Sequence, residues 1–145
     1  MANTPGPQQI DHLDLVVSSI ERSLLFYREL LEPLGFVRVK EVAGERGETI
    51  WYISGRGPCA LGLRQKQSDA HAVPFDRYAV GVHHVAFLAP DRAAVDERAR
   101  WLAERGVEIE SEPREYDYRP GYYAVFFYDP DGIKLEIVHV PGFAA

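Results

Sequence analysis

Apolar and polar positions begin to alternate at residue 10. In the stretch 10–17 (IDHLDLVV), Leu13, Leu15 and Val17 alternate with His12, Asp14 and Val16, the two-residue period of a strand with one buried face. The period then lengthens. Ile20, Leu24, Tyr27, Leu31 and Leu34 are spaced for one face of a helix, Ser18 and Glu21 stand at capping-box spacing at its start, and Gly35 ends it. Further strands are predicted over 36–42, 48–54 and 59–64, with a Gly-Arg-Gly-Pro turn at 55–58.

The same order then returns. Residues 81–89 (GVHHVAFLA) predict a strand, and Pro90-Asp91 opens a helix carrying Ala94, Val95, Arg98, Ala99, Trp101 and Leu102 that ends at Gly106. Strands follow at 107–112, 122–128 and 133–140, the last two joined by an Asp-Pro-Asp-Gly turn. His84 falls on His12, 72 positions on, and Gly106 falls near Gly35 on the same overlay. A βαβββ module is therefore used twice. The repeat predicts an α+β fold: a pair of curved four-stranded sheets, each with a helix on its outer face and a cavity on its inner face. One domain spans 1–145, with module one at about 8–65, a polar linker at 66–80 and module two at about 81–141. Residues 111–121 (SEPREYDYRPG) predict a Tyr- and Arg-rich loop of the kind that covers a site.

Composition narrows the function. The chain has 145 residues, 46% of them hydrophobic and 26% charged, an ordinary globular balance. Its formal net charge is −6, so nucleic acid is not an expected partner, because phosphate neutralisation needs a basic surface. All but three of the basic residues are Arg, suited to bidentate recognition of a small anion. A lone Cys59 forms no intrachain disulfide, and the first nine residues carry no apolar signal core. A reducing cytoplasm is the simplest setting, and no run is long enough for a membrane span. Cys59 has no basic neighbour in sequence and is not expected to be a nucleophile.

Strand alternation sorts the candidate chemistry. With Leu13, Leu15 and Val17 against the helix, His12 and Asp14 face the cavity. With Val85 and Phe87 against the helix, His84 and Ala86 face it too. With Leu135 and Ile137 against the helix, Lys134, Glu136 and Val138 do so as well. Two imidazoles and a carboxylate on one face can hold a divalent metal and leave positions open for water or substrate. The same trio also reads as ordinary half-buried polar residues, and spacing does not choose between these. By the same rule His83 is expected on the helix side as a structural residue, His139 off the cavity face, and His71 in solvent on the linker. One of Trp51 and Tyr52 must line the cavity.

These segments resemble the vicinal oxygen chelate superfamily, which holds glyoxalase I, bleomycin-resistance proteins and extradiol dioxygenases. The likeness is carried by IDHLDLVVSSIERSLLFYRELLEPLGF (10–36), GVHHVAFLAP (81–90) and, most specifically, YYAVFFYDPDGIKLEIVHVP (122–141). The resemblance implies that the two βαβββ modules form a partly open eight-stranded barrel, helices outside, around a metal-binding cavity, with one divalent transition metal (Fe, Mn, Zn, Ni or Co) held by His12, His84 and Glu136 and with Glu136 also expected to take part in catalysis. It implies a small-molecule substrate and a homodimer, with modules paired within one chain or swapped between two. At the family's fourth ligand position this chain departs: laying 59–64 on the last strand places Gly62, or else Arg64, opposite Glu136, and Gln65 points to the other face. That departure counts against glyoxalase I activity and fits the three-ligand pattern of the extradiol dioxygenases and metal-dependent fosfomycin-resistance enzymes. Arg64, Tyr116, Tyr118 and Tyr123 are the expected substrate contacts, the tyrosine loop serving as a lid or as part of a dimer interface. The expected function is metal-dependent lyase, isomerase, dioxygenase or transferase chemistry on vicinal oxygens. The alternative is a non-catalytic protein that sequesters a small molecule or antibiotic.

Overall fold

Leu15 and Val17 are buried where the chain begins to alternate, while His12 and Val16 stay exposed, so the first strand lays one face on a helix. The computed structural model describes residues 8–70 and 73–142; His71 lies outside them. The elements run β1 (His12–Val17), α1 (Ile20–Leu31), a 3₁₀ turn (Glu32–Leu34), β2 (Arg38–Ala43), β3 (Thr49–Ser54) and β4 (Ala60–Gln65). Then come β5 (Val85–Leu88), α2 (Arg92–Glu104), β6 (Ile109–Glu115), β7 (Tyr123–Tyr128) and β8 (Lys134–His139). The chain forms two compact units, Met1–Ser68 and Asp69–Ala145. Each is a four-stranded sheet with its helix, in the orders β1-β4-β3-β2 and β5-β8-β7-β6. In both, the first and last strands pair in parallel and the other pairs are antiparallel. The α+β fold of two βαβββ modules is therefore present. No helix among the described residues is long and apolar enough to cross a membrane.

In the first unit Tyr27, Leu30 and Leu31 of α1 pack with Leu15, Val17, Ile53, Leu61 and Leu63, all buried. In the second, Val95, Ala99 and Leu102 of α2 pack with Phe87, Val125, Phe127, Leu135 and Ile137. Arg98 is buried on the same helix; its stem crosses the apolar surface, its head pairs with Glu97 at 2.6 Å, and its guanidinium lies over Trp101.

Four boundaries differ from the sequence pattern, each for a local reason. Ser19, not Ser18, caps α1: its Oγ accepts from the Arg22 backbone N–H at 3.3 Å, while Ser18 Oγ takes the Arg22 side chain. Residues 32–34 tighten into a 3₁₀ turn because Pro33 has no N–H to continue the α ladder, and Gly35 then supplies the left-handed φ of 99°. Residues 81–84 precede β5 and lie outside the strand, so alternation does not govern His83. Finally, β6 runs on to Glu115 through two register shifts against β7, which shortens the expected loop at 111–121 to its second half.

Candidate active site

Glu136 is the centre of the second unit's site. It sits on β8 opposite Ala86 of β5 and Phe126 of β7, on the face turned away from α2, and its side chain is only 1% exposed. Small Ala86 leaves room beside it. Its Oε2 lies 3.1 Å from His84 Nε2, and its Oε1 accepts the Tyr122 hydroxyl. Among the described residues the ion-pair partner of Glu136 is His84. A carboxylate this buried is stable only when paired or ligating, and here its neighbours are an imidazole and a phenol. Burial and then the hydrogen bond to Glu136 push the Tyr122 phenol above its ordinary pKa.

A depression of about 660 Å³ opens over this pair. Its aromatic wall is Tyr116, Tyr118, Tyr122 and Phe126. Tyr116 and Tyr118 stack with planes 4° apart, and Tyr122 and Phe126 meet Tyr116 edge-on. Ala124, Val138 and Val140 form the apolar floor under Tyr116 and Tyr122. On the other side Lys134 sits over Phe126 and pairs with Glu110 at 3.2 Å, and Arg114 lies over Tyr116.

His83 belongs to this lining, contrary to the helix-side placement that alternation predicts. Its Nδ1 is 2.8 Å from Nδ1 of His84, and its ring meets Tyr78 edge-on. Tyr123 departs from expectation in the opposite sense. It pairs with His139 on the face toward α2, donates to Asp96 Oδ1 at 2.5 Å and carries Arg92 over its ring. Tyr122, the residue just before β7, takes the place beside Glu136. His139 lies off the site face, with Nδ1 3.4 Å from the Ala89 carbonyl.

The first unit repeats this face with different chemistry. The pairing Asp14↔Gly62 on β1 and β4 occupies the register of Ala86↔Glu136 on β5 and β8. The acid has moved from the last strand to the first, and the small residue has moved the other way. Asp14 lies over Gly62 so closely that a Cβ there would meet its carboxylate. Asp14 Oδ2 accepts from Arg64 Nε at 2.8 Å and from the Tyr52 hydroxyl at 3.2 Å; its Oδ1 is buried with no hydrogen-bond partner among the described residues. Tyr52, not Trp51, therefore shares the site face, and its ring meets His12 edge-on. His12 Nδ1 lies 2.7 Å from Asp11 Oδ1. Arg64 is committed elsewhere: it also pairs with Glu45 at 2.8 Å and Glu48 at 3.1 Å, so three carboxylates answer the charge expected to hold a substrate anion. Gln65 binds the start of α1, accepting from Ile20 N and donating to the Ser18 carbonyl, which removes it from the site face.

An imidazole and a carboxylate are the donor types that hold a divalent transition metal, and His84 Nε2 and Glu136 Oε2 converge at 3.1 Å, here as a hydrogen-bonded pair. Within either unit, no three His, Cys, Asp or Glu side chains among the described residues form a metal-holding group. Of the expected ligands His12, His84 and Glu136, the second unit brings His84 and Glu136 together; Tyr122 and His83 were not expected at the site, and the aromatic run at 122–128 was the available signal for Tyr122.

Comparison with known proteins agrees with this architecture. Residues 9–137 match the model of the Glyoxalase/Bleomycin resistance protein/Dioxygenase superfamily. Uncharacterized protein YqjT of Bacillus subtilis is 30% identical over 128 residues, 88% of this chain and 95% of that protein. Metallothiol transferase FosB of Staphylococcus saprophyticus is 28% identical over 130 residues, covering 90% of this chain and 76% of that protein. The crystal structure of a candidate glyoxalase from Bacillus halodurans superposes with a TM-score of 0.73 at 30% identity, over 92% of this chain and 97% of the other. With the family model spanning both modules and the duplicated fold present, the chain belongs to the glyoxalase/bleomycin resistance/dioxygenase superfamily.

Proposed function

We propose that the protein is a metal-dependent enzyme that binds two neighbouring oxygens of a small substrate, with His12, His84 and Glu136 as protein ligands. The observation that carries this reading is the buried Glu136 carboxylate, 3.1 Å from His84 Nε2 beneath an aromatic-walled depression. Held there, a divalent ion would supply Lewis-acid stabilisation of negative charge on substrate oxygens, or oxygen activation in the case of Fe(II). The chain's own residues do the rest. Tyr122 holds Glu136 Oε1 and leaves Oε2 directed at His84. Tyr116, Tyr118 and Phe126 offer apolar ring surface to the substrate body and keep water off the carboxylate. His12 is the third ligand, supplied by the first module of the same chain or of a second copy in a homodimer. Gly62 and Asp14 make the first module's contribution differ from a plain repeat of the second. Likeness to a metallothiol transferase supports group-transfer chemistry among the isomerase, lyase, dioxygenase and transferase options.

Elemental analysis of the purified protein beside His12→Ala and Glu136→Ala tests the reading. About one transition-metal ion per chain, absent from both folded variants, is expected. No metal after incubation with Fe(II), Mn(II), Ni(II) and Zn(II) would overturn it. The aromatic wall favours a second reading, sequestration of a small molecule without turnover. Ligand binding that survives removal of the metal, with no product formed by the metal-loaded protein, would select it.

A further inference from the structure

We infer that Arg77 and Glu110 are positioning residues: their ion pair straps residues 75–84 across one end of the second unit's sheet and thereby sets where His84 stands against Glu136. The inference rests on the reading of His84 and Glu136 as the heart of the site. Arg77 Nη1 donates to Glu110 Oε2 of β6 at 2.9 Å and to the Tyr128 hydroxyl of β7 at 3.0 Å, and that hydroxyl donates to the same carboxylate oxygen at 2.8 Å. Lys134 of β8 pairs with Glu110 at 3.2 Å. One carboxylate thus gathers the strap and three neighbouring strands.

The strap has little else to hold it. Residues 75–84 form no helix or strand. Their turn is closed from within, Ala79 N–H donating to the Asp76 carbonyl at 3.2 Å and Tyr78 N–H to Asp76 Oδ1 at 2.9 Å. Phe75 and Arg77 are half-buried and the other residues of the segment are exposed. A cleft of about 250 Å³ between Phe75, Arg77 and Tyr78 on one side and Tyr128 and Gly132 on the other leaves apolar packing sparse. The placement of His84 nevertheless depends on this segment, because His84 precedes β5 and no strand ladder fixes it. β6 and β5 are the two edges of the sheet, three strand spacings or roughly 14 Å apart, and the chain crosses that distance between Arg77 and Val85. From the Arg77 anchor a line of rings leads to the site: Tyr78 edge-on to His83, His83 to His84, and His84 to Phe126 with centroids 6.0 Å apart. A segment tied mainly by side chains comes free when the tie is cut, and a ligand that needs the docked form then binds in proportion to the docked fraction.

The test is ¹⁵N relaxation of the labelled, metal-free full chain, with the proton contact between the His84 and Phe126 rings read by nuclear Overhauser spectra and Zn(II) affinity measured by competition. The variants are Arg77→Ala, Glu110→Ala and Arg77→Lys; because Nη1 alone makes both Arg77 bonds, a Lys ammonium can replace it. In the parent, backbone order parameters over 77–84 are expected near those of the strands, about 0.85, and in both Ala variants below about 0.6, with β7 and β8 unchanged. The ring contact weakens with them, and a strap docked about a tenth of the time weakens Zn(II) binding about tenfold; Arg77→Lys recovers all three readings. A parent already mobile over 77–84, Ala variants that keep their order, or loosening that spreads through β7 and β8 would overturn the inference. So would a freed strap that leaves the ring contact in place. A parent that binds no Zn(II) would overturn the metal reading, while order parameters and ring contact still decide the strap.

Discussion

Replacing Gly62 by Ala adds one methyl group to a site built around its absence. The new Cβ would stand 2.6 Å from Tyr52 Cε1 and 2.9 Å from Asp14 Cγ, and nearer still to Asp14 Oδ1. Ordinary carbon contacts lie at about 3.5–4.0 Å, so Asp14 must swing away. Overpacking of this kind costs about 1–3 kcal/mol. The displaced carboxylate also gives up Arg64 at 2.8 Å and the Tyr52 hydroxyl at 3.2 Å. Arg64 keeps Glu45 and Glu48, and Arg64 and Asp14 are themselves a quarter and a fifth exposed, so that loss adds little. Ala in place of Gly within a strand returns about 0.5–1 kcal/mol. The net expectation is a loss of up to about 2.5 kcal/mol, centred on about 1.5 kcal/mol, or a melting temperature lower by roughly 3–6 °C. Urea unfolding of Gly62→Ala, Asp14→Ala and the double variant measures it. Asp14→Ala removes the group that is struck, so the double variant should be more stable than Gly62→Ala alone, with a coupling of about 1.5 kcal/mol or more. A Gly62→Ala protein as stable as the parent, or strictly additive losses, would refute the account of why glycine stands there.

Three further outcomes follow from the geometry. Asp14→Ala combined with Gly62→Glu copies the Ala86–Glu136 pair into the first module, and competition titration should show tighter metal binding than the parent; unchanged affinity would mean the two faces are not equivalent. The hydrogen bond to Asp96, helped by burial, raises the Tyr123 phenol above its ordinary value of 10.0. The folded chain therefore keeps a proton that the unfolded chain releases, and stability is lost as pH rises above about 10; Tyr123→Phe should shallow that decline in pH-dependent urea unfolding and leave metal stoichiometry unchanged. Ser19→Ala and Asp91→Ala should each cost about 0.5–2 kcal/mol in the same assay, because their side chains cap α1 and α2, whereas Ser18→Ala should cost less.

Much of this protein is local and so was legible along the chain. Period-2 and period-3.6 patterns placed both helices and all eight strands, because burial of one face is imposed residue by residue. Their repetition at an offset of 72 declared the duplicated module, and alternation with the family likeness put His12, His84 and Glu136 forward as candidates. Alternation holds only inside a strand; His83 and His84 both precede β5 and Tyr122 precedes β7, so it misplaced His83 and could not say that Tyr122 rather than Tyr123 meets Glu136. What tertiary structure alone decided is which distant side chains meet. Arg64 had an open charge in the sequence, but pairing of β4 with β1 and the turn at 44–48 brings three carboxylates to it. Likewise the exchange of Asp14–Gly62 for Ala86–Glu136 exists only across paired strands, where register, a property of two segments at once, sets which side chain fills the space the other leaves.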